Sequence, residues 1–196
     1  MPEARIQPLP SEQWSDEMWD AIAIIGAKRP EPGAPPGPSS NILGIYANNP
    51  PLVKGWMPFS NHLKHPSISD RLREIAIIRT TWLGGGEYEW AQHRRIGRVA
   101  GLTEAEIDAL SDGPGIEWAE AEGIAIRAID EMIGDRQVSD ATWNALAAHY
   151  SVPQLIDFVF LVGTYEMHCL AFNTLGLQLD PGLKGFPADR PRGGAR

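Results

Sequence analysis

"LREIAIIRTTWLGGGEYEWAQHRRIGRVAGLTEAEI", residues 72–107, decides the fold. Leu72, Ile75, Ala76, Ile77, Ile78, Trp82 and Leu83 cover most directions around one helix axis, and a helix apolar on nearly all sides is a buried one. Ser69 stands before it as a candidate cap, with Asp70 in the first turn. Gly84, Gly85 and Gly86 halt that helix. A second, "EYEWAQHRRIGRVA", starts at once and is closed by Gly101. Thr103 and Glu106 then have the spacing of a capping box for a third.

The remaining chain repeats this grammar. "SEQWSDEMWDAIAIIGAK" reads as a helix capped by Ser11 or Ser15, and "NILGIYANNPPLVKGWMPFSNHLKHPS" as two helices broken at Pro50–Pro51. "GIEWAEAEGIAIRAIDEMIG" is amphipathic, "SDATWNALAAHY" is capped by Ser139, and a last helix runs from near Pro153 to about Leu177. Period-two strands are absent. The expectation is an all-α bundle of roughly seven to nine helices. It forms a single domain over 1–180, with a Pro/Gly-rich connector at 29–40 and a Pro/Gly-rich tail at 181–196.

Composition narrows the function classes. With 196 residues, 43% of them apolar, and seven tryptophans, the chain can build a sizeable core. A formal net charge of −8 argues against nucleic acid, whose phosphates need a basic surface. The single cysteine, Cys169, cannot make an internal disulfide, so a reducing, cytoplasmic setting is expected. "LIDFVFLVGTYEMHCLAF", residues 155–172, carries Asp157, Glu166 and His168, which suits a core helix better than a membrane span.

Sorting the helix after the glycines at about 100° per residue separates its two faces. Glu87, Ala91, Arg94, Arg95 and Arg98 share a solvated side. Trp90, His93, Ile96, Gly97 and Ala100 share the buried side, and Glu89 joins them one turn before His93. A buried carboxylate and imidazole cost several kcal/mol unless each is paired. They are either a mutually satisfied core pair or part of a site. Glu74, on the preceding buried helix, is either neutralised by Arg71, Arg73 or Arg79 or is a third member of that site. Acids and an imidazole in an apolar setting are what general acid–base chemistry needs.

Further candidates surround this core. Gly85 and Gly86 permit a tight turn, or else offer N–H groups to a substrate oxyanion. Trp90 is a candidate pocket wall. Tyr165 and His168 are core residues or line the same pocket. A metal held by Glu89, His93 and His168 is a further alternative, although no paired His-Glu-x-x-His signature occurs. His62 and His65 read as solvated, and His149 as a helix-end residue.

The stretch 72–107 resembles the carboxymuconolactone decarboxylase family, which shares its superfamily with the AhpD-type alkylhydroperoxidases; "VSDATWNALAAHYSVPQLIDFVFLVGTYEMHCLAFNTLGLQLD", residues 138–180, is similar to the second half of its longer members. The resemblance implies an AhpD-like all-helical fold assembled as a trimer or hexamer. In the peroxidase branch a glutamate precedes a Cys-x-x-Cys pair, and a histidine follows four residues after the second cysteine. The glutamate carries over to Glu74 and the histidine to His93, but Gly86 and Glu89 stand where the cysteines would be. Dithiol peroxide reduction is therefore unavailable.

The decarboxylase branch is the closer one. It implies no cofactor and no metal, with Glu74, Glu89 and His93 catalytic: His93 the proton donor, Glu89 its orienting partner, Glu74 a second acid. Gly86, Trp90, Tyr165 and His168 would bind substrate. Two readings follow. One is a cofactor-free enzyme acting on a small carboxylated or lactone metabolite, as in aromatic degradation, by decarboxylation, isomerisation or lactone opening. The other is a non-catalytic ligand-binding or assembly protein on the same fold.

Overall fold

The computed structural model describes residues 3–31, 40–188 and 190. Residues 32–39 of the expected connector, and 189 and 191–196 of the expected tail, lie outside the described residues. Nine α-helices and two short 3-10 helices, without a strand among the described residues, make the protein all-α. The chain divides into two compact units, Met1–His65 with Thr174–Gly182, and Pro66–Asn173 with Leu183–Arg196.

The first unit holds a 3-10 turn at Ser11–Gln13, then α1 (Asp16–Ile22), α2 (Asn41–Tyr46) and α3 (Pro50–Lys64). Of the two serines, Ser15 is the α1 cap, its side chain accepting from the Met18 N–H. Pro50 and Pro51 open α3, where a missing N–H costs nothing. Trp14, Met18, Ile22, Val53 and Met57 form this unit's core.

The second unit is built around α4 (Asp70–Leu83). The Ser69 side chain caps it by accepting from the Leu72 N–H. Ile75, Ala76, Ile77 and Ile78 are buried, as the all-round apolar pattern requires. α5 (Glu87–Val99) and α7 (Glu120–Asp135) pack on α4; α6 (Glu104–Ala109) follows α5, and α8 (Asp140–His149) packs on α7. The Thr103–Glu106 capping box opens α6 and Ser139 caps α8. The arginines of α4 tie it to its surroundings: Arg71 to Glu106 and Glu122, Arg79 to Asp112 and Asp130.

α9 (Val152–Leu175) is the last helix. Among the described residues it alone is long and apolar enough to cross a membrane, yet half of that window is buried in the protein. Its inward side chains, Leu155, Phe158, Leu161, Val162 and Phe172, behave as core.

Candidate active site

The glycine turn fixes the relation of α4 to α5. Gly85 sits at φ +70, a left-handed conformation that disfavours any side chain. Gly86 has an ordinary φ of −80 and is needed for another reason: a Cβ there would lie 2.5 Å from Cys169 Sγ. The thiol of α9 thus fills the volume that a side chain at position 86 would occupy. The oxyanion reading of this turn is corrected. The Gly86 N–H donates to Thr81 O at 2.8 Å and the Gly85 N–H to Trp82 O at 3.3 Å, so both are already taken.

Glu74 is 0% exposed, Glu89 6% and His93 9%, so all three face inward as the helical periodicity requires. Their pairing differs from the sequence reading. His93 Nδ1 lies 2.6 Å from Glu74 Oε2, whereas Glu89 Oε2 is 3.9 Å from His93 Nε2. Glu74, not Glu89, orients the imidazole. Glu89 turns instead to His168, with Oε1 2.9 Å from its Nδ1. The reason is geometric: one turn along a helix places two side chains side by side, but the neighbouring helix can present a carboxylate end-on to the ring.

Arg73 completes the arrangement, its Nε donating to Glu74 Oε1 at 2.9 Å while Nη1 reaches Asp70 Oδ1 at 2.5 Å. The sequence named Arg73 only as one of three neutralising options, since adjacent residues on a helix are rarely read as facing partners. On the far side of the ring, Tyr165 Oη lies 3.1 Å from His93 Nε2, and its ring stands edge-on to both His93 and His168. Tyr165 and His168 therefore join the site, brought there by α9.

A carboxylate can only accept, so the His93 proton facing Glu74 sits on Nδ1. That leaves Nε2 to exchange a proton with Tyr165 or a bound molecule. Arg73, Glu74, His93 and Tyr165 form a continuous row of polar contacts with one buried, charge-balanced end. Cys169 is not part of it: burial, then the charges of Glu166 and Glu89, push its thiol up to about 12, which keeps it a neutral packing group.

Two further expectations change. Trp90 does not wall this site; its indole donates to Ser111 Oγ at 2.9 Å and packs against Trp82 and Phe186. Glu87, read as solvated, is half-buried and accepts from the Phe186 N–H at 2.8 Å. His62, His65 and His149 are exposed. Among the described residues no three His, Cys, Asp or Glu side chains are grouped as a metal ion would need.

The family model described as carboxymuconolactone decarboxylase matches residues 50–130. "Uncharacterized protein YdfG" of Bacillus subtilis (strain 168) is 25% identical over 126 residues, 63% of this chain and 86% of that one. An uncharacterized peroxidase-related protein from Ralstonia eutropha JMP134 with an alkylhydroperoxidase AhpD core superposes with a TM-score of 0.74 at 15% identity, covering 92% of this chain and 94% of that one. The debrominase Bmp8 in complex with 2,3,4-tribromopyrrole gives 0.69 at 14% identity, covering 90% and 91%. These likenesses establish the AhpD-like helical fold.

Proposed function

We propose, from the match of the carboxymuconolactone decarboxylase family model to residues 50–130, that this chain is a cytoplasmic, cofactor-free acid–base enzyme acting on a small carboxylated or lactone metabolite of the kind formed in aromatic degradation. The observation that carries this reading is His93 held between Glu74 at 2.6 Å and Tyr165 at 3.1 Å. A buried imidazole oriented by a carboxylate at one nitrogen and facing a tyrosine hydroxyl at the other is an arrangement suited to a general acid–base group.

In the proposed reaction the carbon–carbon bond to the substrate carboxylate breaks and CO₂ leaves. Its electron pair moves into the conjugated carbonyl as an enolate. Protonated His93, its Nδ1–H on Glu74, delivers the Nε2 proton to carbon, and Tyr165 steadies the enolate oxygen as hydrogen-bond donor. The proton is regained from water. Glu89 and His168, paired beside the ring, set the polarity where the substrate carboxylate sits.

A homo-oligomer, trimer or hexamer, accompanies this reading. Val152, Ile156, Phe160, Met167 and Leu170 form an exposed apolar stripe along α9, uninterrupted by charge, and a second copy of the chain is its proposed cover. That surface also favours the alternative of an assembly protein that keeps the fold without the chemistry.

The test is decarboxylation of γ-carboxymuconolactone by the wild type and by His93→Gln, each checked for helical content and assembly size. Turnover by the wild type that is lost in a folded His93→Gln supports the enzyme. Turnover by neither sinks this substrate, and equal turnover by both sinks the assigned role of His93.

A further inference from the structure

The polar side chains around the His93 ring differ in what they can still bind. Glu74 is wholly buried, with one oxygen accepting from Arg73 Nε at 2.9 Å and the other held by His93 Nδ1 at 2.6 Å. Both ring nitrogens of His168 are sealed from solvent, and its Nδ1 faces Glu89 Oε1 at 2.9 Å. Neither side chain can touch a bound molecule.

Glu89 is different. Its two oxygens make no hydrogen bond with any described residue, yet neither belongs to the unpaired atoms that are sealed from solvent. The residue is 6% exposed, so that contact with solvent is small. Holding a nearly buried carboxylate without one hydrogen bond costs stability, and the packing of the fold gives no reason for it. Glu89 Oε2 stands 3.9 Å from His93 Nε2, beyond direct hydrogen-bond reach. Tyr165 Oη, on a half-buried side chain, lies 3.1 Å from that same nitrogen. A carboxylate oxygen, an imidazole nitrogen and a phenol hydroxyl therefore converge on one spot.

That spacing suits the edge of an enolisable carbonyl compound. Its carbonyl oxygen and the carbon that loses a proton are about 2.4 Å apart, from ordinary C–C and C=O bond lengths. Such an edge can set its carbon on Glu89 Oε2 and its oxygen toward Tyr165 Oη. We propose that Glu89 is a second acid–base residue that touches substrate, and that the site catalyses a 1,3-proton shift in β,γ-unsaturated lactones. This rests on the reading of His93 as the centre of an acid–base site for a small lactone metabolite. Glu89 Oε2 takes the proton as the C–H bond beside the carbonyl breaks, and the electron pair moves into the carbonyl as an enolate that accepts from Tyr165. The same carboxyl group returns the proton to the far end of the conjugated system, and the double bond moves next to the carbonyl. Substrate and product are isomers, so no oxidant, reductant or net proton is consumed. His168 is a positioning residue that holds Oε1 while Oε2 faces the site.

The probe is α-angelica lactone, a β,γ-unsaturated lactone, with its conversion to the conjugated isomer followed by proton NMR against a protein-free baseline. Wild type should exceed that baseline by about tenfold or more. Glu89→Gln, at unchanged helical content, should lose about 10²-fold or more in kcat. Glu89→Asp draws the carboxylate back by one carbon and carries the test where Glu89→Gln fails to fold: kcat should fall by about tenfold or more with KM within about twofold. His168→Asn should also lower kcat and spare KM, which a merely structural histidine would not do. Isomerisation by wild type no faster than the baseline would overturn the proposal, as would a kcat in folded Glu89→Gln equal to that of wild type. γ-Carboxymuconolactone is assayed beside it. Release of CO₂ without isomerisation sinks this inference alone, and isomerisation without release of CO₂ sinks the decarboxylation reading alone.

Discussion

His93 Nδ1 and Glu74 Oε2 stand 2.6 Å apart between α5 and α4, with the carboxylate wholly buried. The imidazole is therefore fixed by a neighbouring helix rather than by the glutamate one turn before it on its own. That contact gives Glu74 two measurable duties, to orient His93 and to complete the buried charge set with Arg73.

Truncating Glu74 should separate those duties. Glu74→Ala leaves Arg73 and His93 without their shared partner and should destabilise the fold by about 3–5 kcal/mol in urea unfolding. Glu74→Gln keeps the shape, so its stability loss should be smaller, while turnover falls by about 10²–10⁴-fold if His93 acts as the acid. Equal stability loss in both variants would mean that charge, not shape, is what the site requires.

Tyr165→Phe removes one hydroxyl and little else. The lost hydrogen bond to His93 Nε2 should cost about 0.5–1.5 kcal/mol of stability. Turnover should fall by tenfold or more if the hydroxyl holds the enolate oxygen, roughly the scale of one oxyanion donor. The decisive comparison is kcat against unfolding midpoint: a purely structural tyrosine would shift the second and spare the first.

Gly86 and Cys169 should be energetically coupled. Gly86→Cys forces a Cβ to 2.5 Å from the Cys169 sulfur and should cost about 1–3 kcal/mol by overpacking. Cys169→Gly empties that volume and costs stability by itself. The double variant should be more stable than the sum of the singles by about 1 kcal/mol or more, read from a denaturation cycle. Additive effects would show that the thiol does not fill the glycine's space.

The thiol also sets a pH dependence. Cys169 is raised from 9.0 to about 12 in the fold, chiefly by burial. A raised folded pKa gives stability that is fully present below 9.0 and lost as pH climbs toward 12. Unfolding midpoints should therefore fall less steeply over that window in Cys169→Ala than in wild type. At pH 8 the native thiol should resist iodoacetamide and react only on unfolding.

Glu106 predicts the opposite slope. Arg71 leads the groups that hold it at about 2, so its contribution is present above 4.5 and lost as pH falls toward 2. Glu106→Gln should flatten the acid limb of the stability curve; an unchanged limb would show that the pair is screened away by solvent.

Helix identity and most of the facing were legible from the chain alone, because both are local; on α5 the structure reverses two expected sides, burying Ala91 and leaving Ile96 38% exposed. Ser15, Ser69, Thr103 and Ser139 sit at their caps since each needs only the N–H two or three residues on. Helical periodicity sent Glu74, Glu89 and His93 inward and made α4 a buried helix, and desolvation cost made those three candidates for chemistry. Periodicity gives a direction without a partner. Only tertiary packing could put Glu74 rather than Glu89 on His93, or bring Tyr165 and His168 from α9. The same packing seated Cys169 in the space of Gly86, laid Phe186 against Trp82 and Trp90, and set Arg190 over Trp82. Each of those contacts joins separate elements or residues far apart in the chain, and its geometry depends on how the helices meet, which no spacing within a single helix encodes.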